Sequence, residues 1–350
     1  DVTITIADTT EANSAIKTYT LTAKAGDDDV FTETGASADA AITVSIPWDG
    51  EDVPTVYYVP ESGSLVNMNA TLNGEYVQWT VTHFSDYMVV PANAQENLVS
   101  YEQNGTTKTG TLAEAVANAD SGTTITLLGD VELNATGTSA RSGAININKN
   151  LTIDGTSEKY TITAKTGFTG NNTEWGVDTP IGNYHVFNIT GGTVTLKNLT
   201  VDGAWMDSND AEGQAFGARS GIHVYGGTVK IDNVAVNNCS TYAVTVNQSS
   251  ANVTINNLTT NGNRYGINVD KGGILTIGGE NTNITETSSI VYENSTSENG
   301  SLTVNDGQYR NVVVQSGASE TLGGTVSLTG GEFNGVVNKI GNTGTGTNEI

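Results

Sequence analysis

The chain has 350 residues, a formal net charge of −24 at pH 7 and a pI of about 4.2. A chain this acidic lacks a Lys/Arg patch that could neutralise phosphates, so nucleic acid is not an expected partner. An acidic polysaccharide is disfavoured for the same reason, unless calcium bridges the charges. Cys239 is the single cysteine, which excludes an intrachain disulfide. The sequence contains no run of about 18 apolar residues, so it does not predict a membrane-spanning segment.

Residues 1–95 are predicted to form a β-sandwich. Segments that alternate apolar and polar residues are separated by turn residues, and Asn73-Gly74 predicts a hairpin turn. We expect Trp48 and Trp79 in the core. The predicted strands cover 2–6, 18–23, 41–46, 55–59, 75–82 and 87–90.

The apolar alternation of the strand before residue 82 is broken at Phe84. The sequence His83-Phe84-Ser85 at this break resembles the self-cleaving site of ZU5-like and related autoproteolytic domains. The resemblance implies a scissile Phe84–Ser85 bond, with Ser85 as nucleophile and His83 assisting proton transfer. The alternative is a bulged strand in which Phe84 is buried while His83 and Ser85 cap the bend. The first unit is accordingly expected to be Ig-like or ZU5-like.

Three consecutive aspartates, 27–29, raise the possibility of calcium binding. The alternating Asp spacing of a calcium loop is missing, which favours a solvated acidic loop. We therefore predict no metal site and no cofactor, with calcium the one ion considered.

One segment after the linker at 91–96 is predicted to be helical. Thr111 and Glu114 have the spacing of a capping box, and alanines follow in the next turns. The sequence thus predicts a short helix over 112–119. We expect it to cover the open first rung of the structure that follows.

A seven-residue pattern returns through the C-terminal part of the chain, beginning at Thr193-Val-Thr-Leu-Lys-Asn-Leu. Further copies begin at Thr228, Asn252, Ile274, Ser301 and Thr325. A second apolar strand precedes each copy. The alternation predicts four inward columns of aliphatic residues in register, and repeated short strands of this kind indicate one unit stacked on itself as a parallel β-helix.

The helix, the segment Thr123-Thr-Ile-Thr-Leu-Leu-Gly-Asp-Val and the phrase Asn150-Leu-Thr-Ile-Asp-Gly resemble the start of a right-handed pectate-lyase-like β-helix. It is of the kind found in adhesin-like surface proteins of gut Firmicutes. The resemblance covers about 97–350 and implies a fold, since that superfamily contains lyases, hydrolases, tailspikes and adhesins. We expect the β-helix to be truncated at its C-terminus.

Two insertions, 165–183 and 203–219, leave strand ends at the same corner and are expected to touch. Aromatic and acidic side chains in and beside them suggest a sugar site, because aromatic faces stack on sugars and carboxylates bond hydroxyls. The alternative is that the tryptophans fold back as a small second core. The candidate ligand-binding residues are Trp175, Tyr184, His185, Trp205, Asp207, Asp210, Arg219 and His223.

A catalytic alternative rests on a repeated phrase. Asp154 and Asp202 each end an Asn-Leu-Thr-x-Asp-Gly segment, and on adjacent coils they would lie at the separation of a retaining glycosidase pair. Asp-Gly is also a common strand-ending turn. We therefore leave enzyme activity open and favour binding without turnover.

The abundance of Thr, Asn, Gly and Ser and the scarcity of Lys favour an extracellular protein. The sequence is interpreted as a fragment of a secreted or cell-surface, adhesin-like protein of a Gram-positive gut bacterium. The expected partner is a glycan or a host surface protein. The alternatives are a carbohydrate-active enzyme and a structural stalk with a self-cleaving neighbour.

Overall fold

The computed structural model describes residues 2–10, 16–32, 41–50, 53–60, 65–91, 98–134, 143–166, 184–205, 217–293, 300–315 and 323–340. Over these residues the protein is all-β with large sheets and one short helix. The chain divides into two compact units, Asp1–Leu98 and Val99–Ile350. The sequence predicted the division between residues 95 and 97.

Two antiparallel sheets make up the described part of the first unit, in the orders β1-β2-β9-β5-β6, with β3 beside β2, and β4-β8-β7. Their strands are β1 (Val2–Asp8), β2 (Lys17–Ala25), β3 (Asp28–Asp29), β4 (Ile42–Pro47), β5 (Thr55–Val59), β6 (Val66–Asn67), β7 (Thr71–Asn73), β8 (Tyr76–Val81) and β9 (Asp86–Val90). Both sheets contribute to one apolar cluster, which includes Trp48 and Trp79 as predicted. The predicted hairpin turn is present, with Gly74 at a φ of 63°.

The second unit contains the helix and the remaining strands. They are β10 (Leu98–Gln103), β11 (Thr106–Thr111), α1 (Leu112–Asn118), β12 (Thr124–Leu127), β13 (Val131–Asn134), β14 (Gly143–Ile147), β15 (Leu151–Asp154), β16 (Thr161–Thr166), β17 (His185–Ile189), β18 (Thr193–Asp202), β19 (Ser220–Val224), β20 (Gly227–Asn237), β21 (Tyr242–Asn247), β22 (Ala251–Asn261), β23 (Tyr265–Asp270), β24 (Ile274–Gly278), β25 (Asn283–Glu293), β26 (Ser301–Val304), β27 (Gln308–Gln315), β28 (Thr325–Leu328), β29 (Glu332–Phe333) and β30 (Val337–Ile340).

Strands of this unit pair in parallel with the strand one repeat further along the chain. One ladder runs β14-β17-β19-β21-β23-β25-β27-β30, and another runs β15-β18-β20-β22-β24-β26-β28. Successive copies of the repeat are therefore hydrogen-bonded to one another, in the register that the sequence pattern predicts.

The four predicted aliphatic columns are confirmed as core. Phe187 pairs with Ile222 and Val229 with Val253, and all four side chains are at most 1% exposed. The exception is Leu328, which is only half-buried at the last position of its column. Removal of these stacked apolar faces from water is the main force that holds the paired strands together.

Asparagines form the corner between the two halves of strands β18, β20 and β22. Asn198, Asn233 and Asn257 have φ values of 51°, 54° and 55°, a region that asparagine tolerates better than most residues. The Asn233 side-chain nitrogen donates to the Asn198 oxygen at 2.8 Å, and Asn198 in turn donates to Asp154 at 3.1 Å. Stacked amides thus satisfy the corner.

Helix α1 has the predicted capping box. The Glu114 backbone donates to the Thr111 hydroxyl, and the Glu114 carboxylate accepts from the Thr111 backbone at 2.9 Å. Leu112, Ala115 and Val116 are buried in the same cluster as the first strands of the unit. With seven residues the helix is too short to cross a membrane, and the described ranges contain no helix long enough to do so.

Candidate functional site

A row of polar side chains crosses the outer face of the first ladder. Asn146, Asn188, His223, Thr245 and Asn268 occupy successive strands in direct register. Each stands between two inward apolar residues of its strand, and neighbours lie about 4.8 Å apart, the spacing of paired strands. We call these five residues the central row.

The central row becomes progressively more recessed along the stack. Asn146 is exposed and lines a cleft of about 280 Å³ between α1 and β14, and Asn188 is half-buried. His223 and Thr245 are each 8% exposed, and Asn268 is 5% exposed. Polar side chains on an outer sheet face are ordinarily well solvated, so burial of this degree shows that neighbouring residues cover the far end of the row. We infer that the row is the floor of a groove.

Side chains on both sides of the central row form its walls. Upstream in each strand are His185, Ser220, Tyr242 and Tyr265, which we call the upstream row. Downstream are Tyr225, Asn247, Asp270 and Glu293, which we call the downstream row. The register places Ser220, Tyr242 and Tyr265 on successive strands, and likewise Asn247, Asp270 and Glu293. Tyr225 is 47% exposed beside the buried His223, so the downstream wall stands above the floor.

Imidazole and phenol rings meet at the first end of the groove. The rings of His185 and His223 are stacked, with centroids 4.2 Å apart and planes 16° from parallel. The Tyr225 ring lies 5.9 Å from His223 on the other side. Further along, Tyr242 and Tyr265 are 5.2 Å apart. Aromatic rings therefore flank the central row on both sides, with His185, Tyr242 and Tyr265 upstream and Tyr225 downstream.

Hydrogen bonds connect the floor to its walls. The Ser220 and Thr245 hydroxyls are 3.2 Å apart, and the Asn268 amide donates to Glu293 at 3.0 Å. Burial raises the pKa of Tyr242 far above its usual value, and the negative charge of Glu293 contributes further. Tyr242 is therefore a neutral phenol at physiological pH.

The structure brings some of the predicted ligand residues together and separates others. His185, Arg219 and His223 are 3%, 6% and 8% exposed and belong to the groove region. Tyr184 lies instead in the apolar core, where its carbonyl accepts from the Arg219 backbone at 2.7 Å. Trp205 is half-buried, its backbone nitrogen donates to Asn238, and its buried indole nitrogen has no hydrogen-bond partner among the described residues.

Other predictions for the two insertions fall outside the described residues. These are Trp175, Asp207 and Asp210, together with the expected contact between the insertions. Conversely, sequence reasoning missed the floor residues Asn188, Thr245 and Asn268. The sequence signal for these residues was a polar residue between two apolar residues in the strand that precedes each copy of the repeat, as in Phe187-Asn-Ile.

The predicted stacking of Asp154 on Asp202 is wrong. The register pairs Asp154 with Lys197, whose ammonium group lies 3.0 Å from the carboxylate. Asp202 instead pairs with Thr163 on one side and Asn237 on the other. Asp154 is also only 2% exposed, so this arrangement is an ion pair at a corner and not a pair of facing carboxylates.

The His83-Phe84-Ser85 segment forms a bend between β8 and β9. Phe84 is 5% exposed in the apolar cluster, and the Ser85 carbonyl accepts from Leu21 at 2.9 Å. The His83 carbonyl accepts from the Tyr87 hydroxyl at 3.2 Å. The His83 ring lies edge-on to the Tyr58 ring, with centroids 4.9 Å apart. The bend is thus tied into the sheet by its backbone, and self-cleavage stays a prediction.

Cys239 is fully buried and chemically quiet. Burial raises the pKa of its thiol well above the usual value, and the charges of Asp202 and Glu286 act in the same direction. The thiol is therefore protonated and a poor nucleophile. The nearby Glu286 carboxylate accepts from the Thr260 hydroxyl and from the Asn263 amide, which makes this a structural polar cluster.

The described residues contain no group of three or more His, Cys, Asp or Glu side chains that could hold a metal ion. Of the aspartates considered for calcium, Asp28 and Asp29 lie in the exposed strand β3, and Asp29 is 3.6 Å from the Lys24 ammonium group. The chain matches no protein-family model, no curated protein and no solved structure. Function is therefore inferred from the groove.

Proposed function

We propose that the protein is a secreted or cell-surface, adhesin-like bacterial protein that binds glycan without turning it over. In this proposal residues 97–350 form a right-handed parallel β-helix and residues 1–95 a β-sandwich. Parallel pairing of each strand with its copy one repeat along supports the β-helix, as do the columns of buried aliphatic residues. A stack of this kind is a rigid scaffold on which an extended ligand can lie.

The observation that supports glycan binding is the recessed central row between two walls. Amide, hydroxyl and imidazole groups are suited to sugar hydroxyls, and phenol faces are suited to sugar C–H surfaces. His223 and Thr245 supply the first kind of group, whereas Tyr225 and Tyr265 supply the second. A host protein is a less favoured partner because the central row is polar, whereas the buried core of a protein interface is more apolar.

Two features weigh against a hydrolase or lyase. The only carboxylate pair that the sequence suggested is separated by the register and partly neutralised by Lys197. In the groove, Glu293 accepts hydrogen bonds from Asn268 and Gln315, which holds its carboxylate in place as a wall group. We therefore expect the groove to hold a ligand and release it unchanged.

The experiment is a glycan array probed with the intact chain, with each bound glycan then incubated with the protein and assayed for new reducing ends or unsaturated products. We expect binding and no product. Tyr225→Ala should weaken binding by roughly tenfold through loss of the exposed ring. Thr254→Ala is the matched control, because Thr254 is an exposed threonine on the other ladder. Product release, or equal effects of the two substitutions, would contradict the proposal.

A further inference from the structure

The turn between β21 and β22 is longer than the turn one repeat before it. Val224, at the end of β19, pairs with Val246 of β21. Gly227, which begins β20, pairs with Ala251, which begins β22. The first turn therefore covers three residue steps and the second covers five, although the strands on both sides stay in register.

The longer turn holds Tyr225 at its side chain and at its backbone. The Gln248 side-chain nitrogen donates to the Tyr225 hydroxyl at 3.1 Å. The Ser250 hydroxyl donates to the Tyr225 carbonyl at 3.1 Å, and the Ser250 carbonyl accepts from the Gly227 nitrogen at 2.9 Å. Tyr225 is nevertheless 47% exposed, so these hydrogen bonds fix the ring without covering it.

The backbone of Gln248 is strained. Its φ is 116°, in a region that residues with a Cβ atom rarely adopt. Neighbouring turns between the two ladders use glycine for positive φ, namely 91° at Gly227 and 82° at Gly272. The strained conformation is fixed by the Gln248 nitrogen, which donates to the Asp270 carbonyl at 3.3 Å, and by the Gln248 carbonyl, which accepts from Ala251 at 2.9 Å. Strained residues of this kind concentrate at ligand-binding sites, and glycine would meet the same backbone requirement at lower cost.

We propose that Gln248 is a positioning residue whose amide holds the Tyr225 ring as a fixed platform on which one sugar residue of the glycan stacks at the downstream wall of the groove. The inference rests on the proposed function. An aromatic face stacks on the C–H surface of a sugar, and a ring that is already held in place loses less conformational freedom when the ligand arrives. The side chain of Gln248, which glycine lacks, thus compensates for the strain of its backbone.

The strain is tested without any ligand by thermal unfolding of the intact chain. Gln248→Gly and Gln248→Ala both remove the amide, but only glycine relieves the backbone. We expect the midpoint of Gln248→Gly to be at or above that of the unaltered protein, and above that of Gln248→Ala. A lower midpoint for the glycine variant than for the alanine variant would contradict the strain argument.

The positioning role is tested by affinity electrophoresis in gels that contain xylan, mixed-linkage β-glucan or galactan, with dissociation constants taken from the retardation at several polymer concentrations. Gln248→Gly and Gln248→Ala should weaken binding to the same extent, by roughly threefold to tenfold for one net hydrogen bond, although their stabilities differ. Gln248→Glu keeps a partner for the Tyr225 hydroxyl and should bind nearly as well as the unaltered protein. Thr254→Ala is again the unchanged control.

A double-substitution cycle shows whether the amide acts through Tyr225. Tyr225→Phe keeps the ring and removes the hydroxyl, so combining it with Gln248→Ala should weaken binding no further than the weaker single variant. Additive losses would overturn the positioning role, as would full binding by Gln248→Gly where Tyr225→Ala binds weakly; both outcomes leave glycan binding standing. Absence of binding by the unaltered protein to every polymer here and to every glycan of the array would refute the proposed function, and the positioning role with it.

Discussion

Substitution of Ile255 tests the assigned register of the stacked strands. Ile255 is 1% exposed and pairs with Ile231 on one neighbouring strand and Ile277 on the other. Ile255→Ala removes three buried carbons between these partners, and substitutions of this kind cost about 2–5 kcal/mol of unfolding free energy. Ile255→Asp should cost more, because it places a charge without a partner in an apolar column.

The matched control is the adjacent residue on the same strand. Thr254 is exposed, so Thr254→Ala should change the unfolding free energy by less than about 0.5 kcal/mol. Urea unfolding of the full chain, followed by far-ultraviolet circular dichroism, gives the midpoints. Because stacked repeats can unfold in parts, calorimetry should accompany the urea curves. Equal losses for the two alanine substitutions would refute the inward and outward assignment on this strand.

Three further outcomes follow from the structure. Burial raises the pKa of Tyr87 from 10.0 to about 12, so the stability that its neutral phenol contributes should be lost as pH rises from 10 towards 12. The unfolding free energy of Tyr87→Phe should therefore fall less steeply with pH over this range than that of the unaltered protein. Asn233→Ala should destabilise the chain by roughly 1–3 kcal/mol, because it loses the corner hydrogen bonds and retains a φ of 54°. Asn233→Gly should cost less when both variants are compared by thermal unfolding. The reverse order would contradict the corner argument. If Phe84–Ser85 is cleaved, denaturing mass spectrometry after long incubation should show a fragment that ends at Phe84, and Ser85→Ala should remain whole; a single intact mass would end that hypothesis.

The core was predictable because two independent patterns coincide. Alternation assigns one face of each strand to the interior, and the repeat superimposes the copies, so the sequence alone aligns Val229 with Val253. The helix was predictable for a local reason, since Thr111 and Glu114 need only each other to form the cap. Patterns of short range and patterns that repeat are those that a single sequence carries well.

The upstream row was harder to predict because strict alternation fails near the start of the first strands. A Cβ atom at Gly221 would lie 2.4 Å from the Val236 side chain, so this position points into the core. Ile222, the next residue, is also in the core. Two successive inward positions shift the phase, and the shift places Ser220 and His223 on the same outer face.

The error at Asp154 and Asp202 has a different physical origin. Both aspartates end the same short phrase, but the two phrases are not aligned. Asn150, which begins the first phrase, lies beside Thr193, whose backbone nitrogen donates to the Asn150 side chain at 2.8 Å, whereas the second phrase begins at Asn198. Strand β18 contains two segments, one paired with β15 and the other with β16, joined at the Asn198 corner, and the second phrase begins at that corner. Similar phrases can therefore occupy strands that pair with different neighbours, and only the pairing register distinguishes them.

The contrast between the two outer faces is the strongest reason to assign function to one of them. On the second ladder the outward positions are Thr195, Lys230, Thr254 and Thr276, all exposed or half-buried, as expected for a solvated face of good strand formers. On the first ladder, His223, Thr245 and Asn268 of the central row are withdrawn from water, whereas Asn146 and Asn188 are not. Burial of polar groups costs free energy unless each is hydrogen-bonded, and apolar or threonine side chains would meet the needs of the fold at lower cost. Because the chain nevertheless keeps hydroxyl, amide and imidazole groups at these buried positions, we propose ligand recognition as the role of this face.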